Sequence, residues 1–161
     1  MQTPIEEDDN AVILTQKLAH LAAHQSRDSL YSAITGELKP EDQDEKSATY
    51  CAKIKKEDGN INWNEGAEII TAKIRAFSGW PGTYTFFNEK RLKILQAKAQ
   101  NLSHDKTSGM VFKTDGDVHI TTASGTITPQ ELQLEGKSPQ KIDDFINGNP
   151  DFINSKLSPS P

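Results

Sequence analysis

Ile74-Arg75-Ala76-Phe77-Ser78-Gly79-Trp80-Pro81-Gly82-Thr83-Tyr84-Thr85-Phe86 separates two kinds of hydrophobic pattern in this chain. Upstream, Ala67, Ile70, Ile74 and Phe77 recur at helical spacing, which predicts one buried stripe on a helix capped by Asn64. Lys73 and Arg75 complement the negative end of that helix. Gly79 can take the left-handed conformation that stops it, and Pro81 cannot donate to a continuing turn. Trp80, set between these breakers, is expected to plug the helix–sheet corner, with direct contact to a ligand as the alternative.

Downstream the pattern becomes two-residue alternation. Strands are expected at Thr83–Phe87 and Arg91–Lys98, with Leu92, Ile94 and Gln96 on one face, and at Gly109–Lys113 and Val118–Thr122. Asp115-Gly116 is a two-residue hairpin signal; Thr126–Thr128 and Gln130–Leu134 add shorter strands. Ser138-Pro139 opens a final helix through Phe145, closed by Gly148 and Pro150. Short strands at this spacing beside one helix predict an α+β fold built on a small open Greek-key barrel of the oligonucleotide/oligosaccharide-binding (OB-like) type.

Outward from this module the chain thins. Ala11–His24 reads as one helix and Ser26–Ile34 as a second, ended by Gly36, giving an N-terminal helix pair. Residues 37–48 are charged and nearly devoid of large apolar side chains, as in a linker. Thr49–Ile54 and Ile61–Trp63 read as extended. The expected organisation is a helical segment over 1–36, a linker over 37–48, a barrel domain over 49–155 and a disordered tail over 156–161.

The 161 residues carry a net charge of -5 and no apolar run near the ~20 residues that span a bilayer. The N-terminus lacks the basic and apolar regions of a secretory signal. Cys51 has no partner for a disulfide, so a reducing, cytoplasmic setting is expected. No Gly-rich phosphate loop, G-x-S-x-G or H-E-x-x-H occurs. His20 and His24 are four apart without further metal ligands, and His104 and His119 lack a partner nucleophile. Asp8-Asp9 and Asp143-Asp144 fall at helix ends, where capping suits them better than acid–base work. These residues describe a binding module.

Its charge is divided. Residues 1–48 hold four basic and ten acidic side chains, residues 49–100 nine and five, and residues 101–161 five and eight. The basic side chains of the middle segment, Lys53, Lys55, Lys56, Lys73, Arg75, Lys90, Arg91, Lys93 and Lys98, are the expected phosphate-backbone contacts. Tyr50, Trp63, Tyr84 and Phe86 could stack on bases, but alternation and helix packing make most of them core.

Ala48-Thr49-Tyr50-Cys51-Ala52-Lys53-Ile54, then Ile61-Asn62-Trp63, then Arg75 through Trp80-Pro81-Gly82, is similar in order and spacing to the C-terminal part of methionyl-tRNA formyltransferase. Thr3-Pro4-Ile5 with Asp9 and Leu14 through Leu18-Ala19 resembles the end of that family's catalytic domain, and Leu92-Lys93-Ile94 its next strand. Ser78-Gly79 stands where the family commonly has Asn-Pro, and Lys53 follows Ala52 where it often has Pro. The resemblance implies a transferase moving a formyl group from 10-formyltetrahydrofolate to methionyl-initiator tRNA. It implies also that this chain binds no cofactor itself, holds none of the family's catalytic positions, and is inactive alone. Expected partners are initiator methionyl-tRNA and the family's catalytic domain, with no membrane, the chain being a monomer. A module serving a different formyl acceptor, or a structural support for the catalytic domain, are the alternatives.

Overall fold

The computed structural model describes residues 2–160. The chain forms two compact units, Met1–Ile54 and Lys55–Pro161. In the first unit, Asn10 caps α1 (Ala11–Thr35) by accepting from the backbone of Val12 and Ile13, and Gly36 ends it at φ 78°. The expected helix pair is thus one 25-residue helix. Ser26 does not cap a second helix: its hydroxyl donates to Ala23 O at 2.9 Å, and no breaker interrupts the ladder. No residue of α1 is buried, and Val12, Leu18, Leu30, Tyr31 and Ile34 are exposed. Beyond it, a short 3₁₀ turn (Glu45–Ser47) is capped by Asp44. Hydrogen bonds from the Ser47 hydroxyl and then the Lys46 amide hold that carboxyl below its ordinary pKa. Thr49–Ile54 forms no strand.

The second unit is a curled antiparallel sheet with helices packed on it. Its strands are β1 (Tyr84–Phe87), β2 (Lys90–Gln100), β3 (Val111–Thr114), β4 (Asp117–Thr121), β5 (Thr126–Leu134) and β6 (Gln140–Lys141). They lie in the order β1-β2-β5-β4-β3, with β6 on β5. Asp115 and Gly116 both have positive φ, 52° and 91°, which is the hairpin geometry their sequence predicts. β5 runs unbroken through Pro129 rather than as two strands. Pro129 lies opposite Ala97, next to a register irregularity at Gln96/Ala97, where a missing N–H costs the ladder least.

That irregularity also corrects the face assignment of β2. Leu92 and Ile94 are buried, but register shifts flank Gln96 and turn it outward, while Ala97 and Ala99 pack on the core. Helix α2 (Ala67–Ala76) buries Ala67, Ile70 and Ile74 against this inward face, and Phe77 is half-buried at its end. Its N-cap is Gly66, not Asn64, and the Ala67 amide donates to Ser124 O at 3.0 Å. A neighbouring backbone carbonyl therefore does the work expected of the Asn64 side chain. Ile61–Trp63 is not a strand; Asn60 makes a single parallel bridge to Tyr84. Pro139 does not open the last helix, because β6 intervenes and α3 spans Ile142–Gly148. Phe87, Phe145 and Phe152 meet edge to face, with centroids 5.1–6.4 Å apart.

Trp80 does not plug the corner: it is 63% exposed. The Gly82 amide closes the loop onto Phe77 O at 3.0 Å, and Gly59 lies so near that a Cβ there would meet Gly82 O at 2.1 Å. Two backbones fill the corner, leaving no room for an indole. The buried tryptophan is Trp63, whose Nε1 donates to the Thr85 hydroxyl at 3.1 Å.

The tail is not free either. Ser158 exchanges both backbone hydrogen bonds with Phe86 on β1, at 2.9 and 3.2 Å. Asn154, Ser155 and Leu157 bond to Val111 and Gly109, on and beside β3. Leu157 is 1% exposed. The C-terminal segment therefore joins the two edge strands of the sheet, and this edge pairing orders residues whose composition alone reads as disordered.

Candidate nucleic-acid interface

Of the nine basic residues named from the sequence, the eight in the second unit do not form one track. Lys53 lies in the first unit; Lys55 and Lys56 open the second, exposed, at a 3₁₀ turn (Lys56–Gly59). Lys73 sits 3.5 Å from Glu65, and Arg75 is half-buried; both belong to α2, which packs on the inward side of β2. Lys90 is exposed beside the tight turn at Asn88-Glu89.

The other three converge. Arg91 and Lys93 point outward from β2 by simple alternation from Leu92 and Ile94. Unbroken alternation would turn Lys98 inward, and the bulge around Gln96 returns it to the outward face. One strand thus carries three cations on one face. No ion pair among the described residues involves them.

Neighbouring strands furnish that face with aromatic and polar groups. Tyr84 lies opposite Lys93 and Phe86 opposite Arg91, so both rings share the outward side. The Arg91 guanidinium sits 4.4 Å from the Tyr84 centroid, and Phe86 meets Tyr84 edge to face at 5.9 Å. Further along, Lys98 faces Thr128, whose hydroxyl lies 3.3 Å from His119 Nδ1. His119 stacks on Phe112 at 5.4 Å, and Lys106 Nζ lies over the same phenyl ring, 5.7 Å from its centroid.

Of the four aromatics named from the sequence, Trp63 is core, Tyr84 is buried beneath Arg91, Phe86 is half-buried, and Tyr50 is exposed in the first unit. Sequence reasoning missed Phe112 and His119, since only the β3–β4 register pairs them across the hairpin. It also missed Gln133, which lies opposite Lys93. Among the described residues no group of three His, Cys, Asp or Glu could hold a metal ion. No described helix is long and apolar enough to cross a membrane.

The curled antiparallel sheet thus presents a cationic outer face backed by aromatic rings. A family model described as the C-terminal domain of formyl transferases matches residues 53–150, and the chain belongs to that family. It is 37% identical to a methionyl-tRNA formyltransferase of Marinobacter nauticus over 149 residues, covering 92% of this chain and 48% of that protein. A second, from Treponema denticola, is 34% identical, covering 95% and 50% respectively. The chain spans about half the length of these curated relatives and resembles their C-terminal part. In fold it is similar to the crystal structure of a variant of HypX from Aquifex aeolicus, with a TM-score of 0.66 and 16% identity, over 94% of this chain and 28% of that one.

Proposed function

We propose that this chain is the tRNA-gripping part of a methionyl-tRNA formyltransferase, holding methionyl-initiator tRNA while a catalytic domain transfers the formyl group. The observation that carries this reading is the row of Arg91, Lys93 and Lys98 on one strand face, with no carboxylate among the described residues within ion-pair distance. Cations spaced along a strand follow a phosphate backbone and contribute affinity without reading sequence. We read the curled sheet as OB-like in this sense, with β2 as its binding strand.

We expect 10-formyltetrahydrofolate to be held elsewhere. The depression beside Arg91 is about 210 Å³ and open, below the ~300 Å³ at which sites for molecules of that size begin. The folate belongs to the catalytic domain, and this chain alone is expected to give no formyl transfer in the cytoplasm or in a test tube.

Fluorescence anisotropy with labelled initiator tRNA tests the proposal. Binding should weaken steeply between about 50 and 200 mM salt. Lys93→Glu with Lys98→Glu should lose affinity more than Lys73→Glu, which lies on the helix side. Undiminished binding by the β2 double variant would overturn this placement of the interface.

A further inference from the structure

Arg91, Lys93, Gln133, Leu134, Glu135 and Gly136 line a depression of about 210 Å³ between β2 and the end of β5. Resting on the polyanion-binding reading above, we propose that this depression is a built seat for a single phosphate group, distinct in kind from the surface lysines.

Three features of Arg91 support this. Its guanidinium is pinned on Tyr84, which is itself braced edge to face by Phe86, so little rotamer freedom remains to be lost on binding. Its Nε–H is buried and has no hydrogen-bond partner among the described residues. No carboxylate among the described residues lies within ion-pair distance of it. A planar fork held in one orientation suits a phosphate in two-point contact.

The rest of the wall agrees. Lys93 is two residues along the same face and adds a second charge. Glu135 also lines the depression and opposes an anion there, but its carboxylate is engaged: its Oε2 accepts from the Arg91 backbone amide at 3.2 Å, while its own backbone amide donates to Arg91 O at 2.9 Å. The Gln133 side-chain Nε2 donates to Lys137 O at 2.9 Å, which ties the mouth of the depression to the turn at Gly136. The Glu135–Arg91 backbone bond extends the β2–β5 ladder one step beyond its last strand pair.

The chain has three arginines, so the Arg91 Nε–H resonance can be assigned in a ¹⁵N spectrum by comparison with Arg91→Lys. The full chain is titrated separately with initiator tRNA and with inorganic phosphate at low salt. The expected result is a saturating shift of the Arg91 Nε–H signal with both probes. Arg91→Lys should bind tRNA about tenfold more weakly with an unchanged salt slope, since it keeps the charge and loses the fork. Lys98→Gln should lose less and flatten the slope. If tRNA binds but the Arg91 signal stays still and Arg91→Lys matches the parent, the seat is refuted while the RNA reading stands. If phosphate shifts Arg91 and tRNA does not bind, the seat stands and the RNA reading falls. Silence toward both probes overturns both.

Discussion

Removing residues 156–161 should destabilise the second unit severely, although the sequence presents them as a dispensable tail. The truncation takes away Leu157, whose 1% exposure makes it a full core side chain. Losing a buried leucine side chain costs about 3–5 kcal/mol. It also removes the Leu157 amide bond to Gly109 at 2.8 Å and the reciprocal Ser158–Phe86 pair. Two side-chain bonds go as well, from Thr85 Oγ1 to Ser158 O at 2.8 Å and from Asn60 Nδ2 to Pro159 O at 2.7 Å. Water can replace most of these at the reopened edges, so they add about 0.5–1 kcal/mol each at most. The sum, about 5 kcal/mol or more, rivals the whole stability of a small domain. Because truncation may leave nothing folded to measure, Leu157→Ala is the quantitative test. At about 3 kcal/mol and a urea slope near 1.5 kcal/mol per molar, its midpoint should fall by about 2 M. Both tryptophans lie in the second unit, so intrinsic fluorescence reports on that unit. A Leu157→Ala midpoint within about 0.3 M of the parent would refute the claim that this segment completes the core.

Gly59→Ala should cost about 2–3 kcal/mol, since the new Cβ would meet the Gly82 carbonyl at 2.1 Å and a backbone atom cannot swing away. Gly148→Ala, with nothing within 4 Å of the new carbon, is the control and should leave the melting temperature within about 3 °C. Trp80→Ala should change stability by less than about 0.5 kcal/mol, whereas Trp63→Phe should cost about 2 kcal/mol through the lost bond to Thr85; chemical denaturation with circular dichroism separates them. Glu135→Gln removes a negative charge from the Arg91 depression and should tighten phosphate binding two- to fivefold, read from the same Nε–H titration.

How much of this was legible beforehand divides along a physical line. Local signals read true: the αL stop at Gly36, the Asp115-Gly116 hairpin and the stripe of Ala67, Ile70 and Ile74 each depend on a few adjacent residues. What failed depended on partners distant in the chain. Asn64 looked like a cap because its side chain suits one, but Ser124, nearly sixty residues on, supplied the acceptor. Trp80 looked like core because it is large, but the approach of Gly59 to Gly82 had already filled the corner. Serine- and proline-rich composition made the tail look disordered, whereas two open strand edges supplied it with partners.

The candidate interface shows the same division, with a sharper consequence. Counting charges singles out a segment but cannot tell which cations share a surface, since that is decided by strand phase. The three-residue step from Ile94 to Ala97, matched by Leu132 to Pro129 on β5, moves Lys98 from the core side of β2 to the side of Arg91 and Lys93. The same shift brings Ala97 and Ala99, small enough to lie under the sheet, into the inward positions that Gln96 and Lys98 would otherwise occupy. A strand that kept strict alternation would bury a lysine and expose alanines. The bulge resolves that conflict, so packing and the cationic row have a common cause. Deleting Gln96 separates the two: with one residue fewer, strict alternation from Leu92 and Ile94 still sends Ala97 and Ala99 inward and Lys98 outward, so RNA affinity should be kept while stability falls through the lost register with β5. Adding Lys98→Ala to the deletion should lower affinity without restoring stability. Unchanged affinity in that double variant would show that Lys98 contributes nothing to the interface.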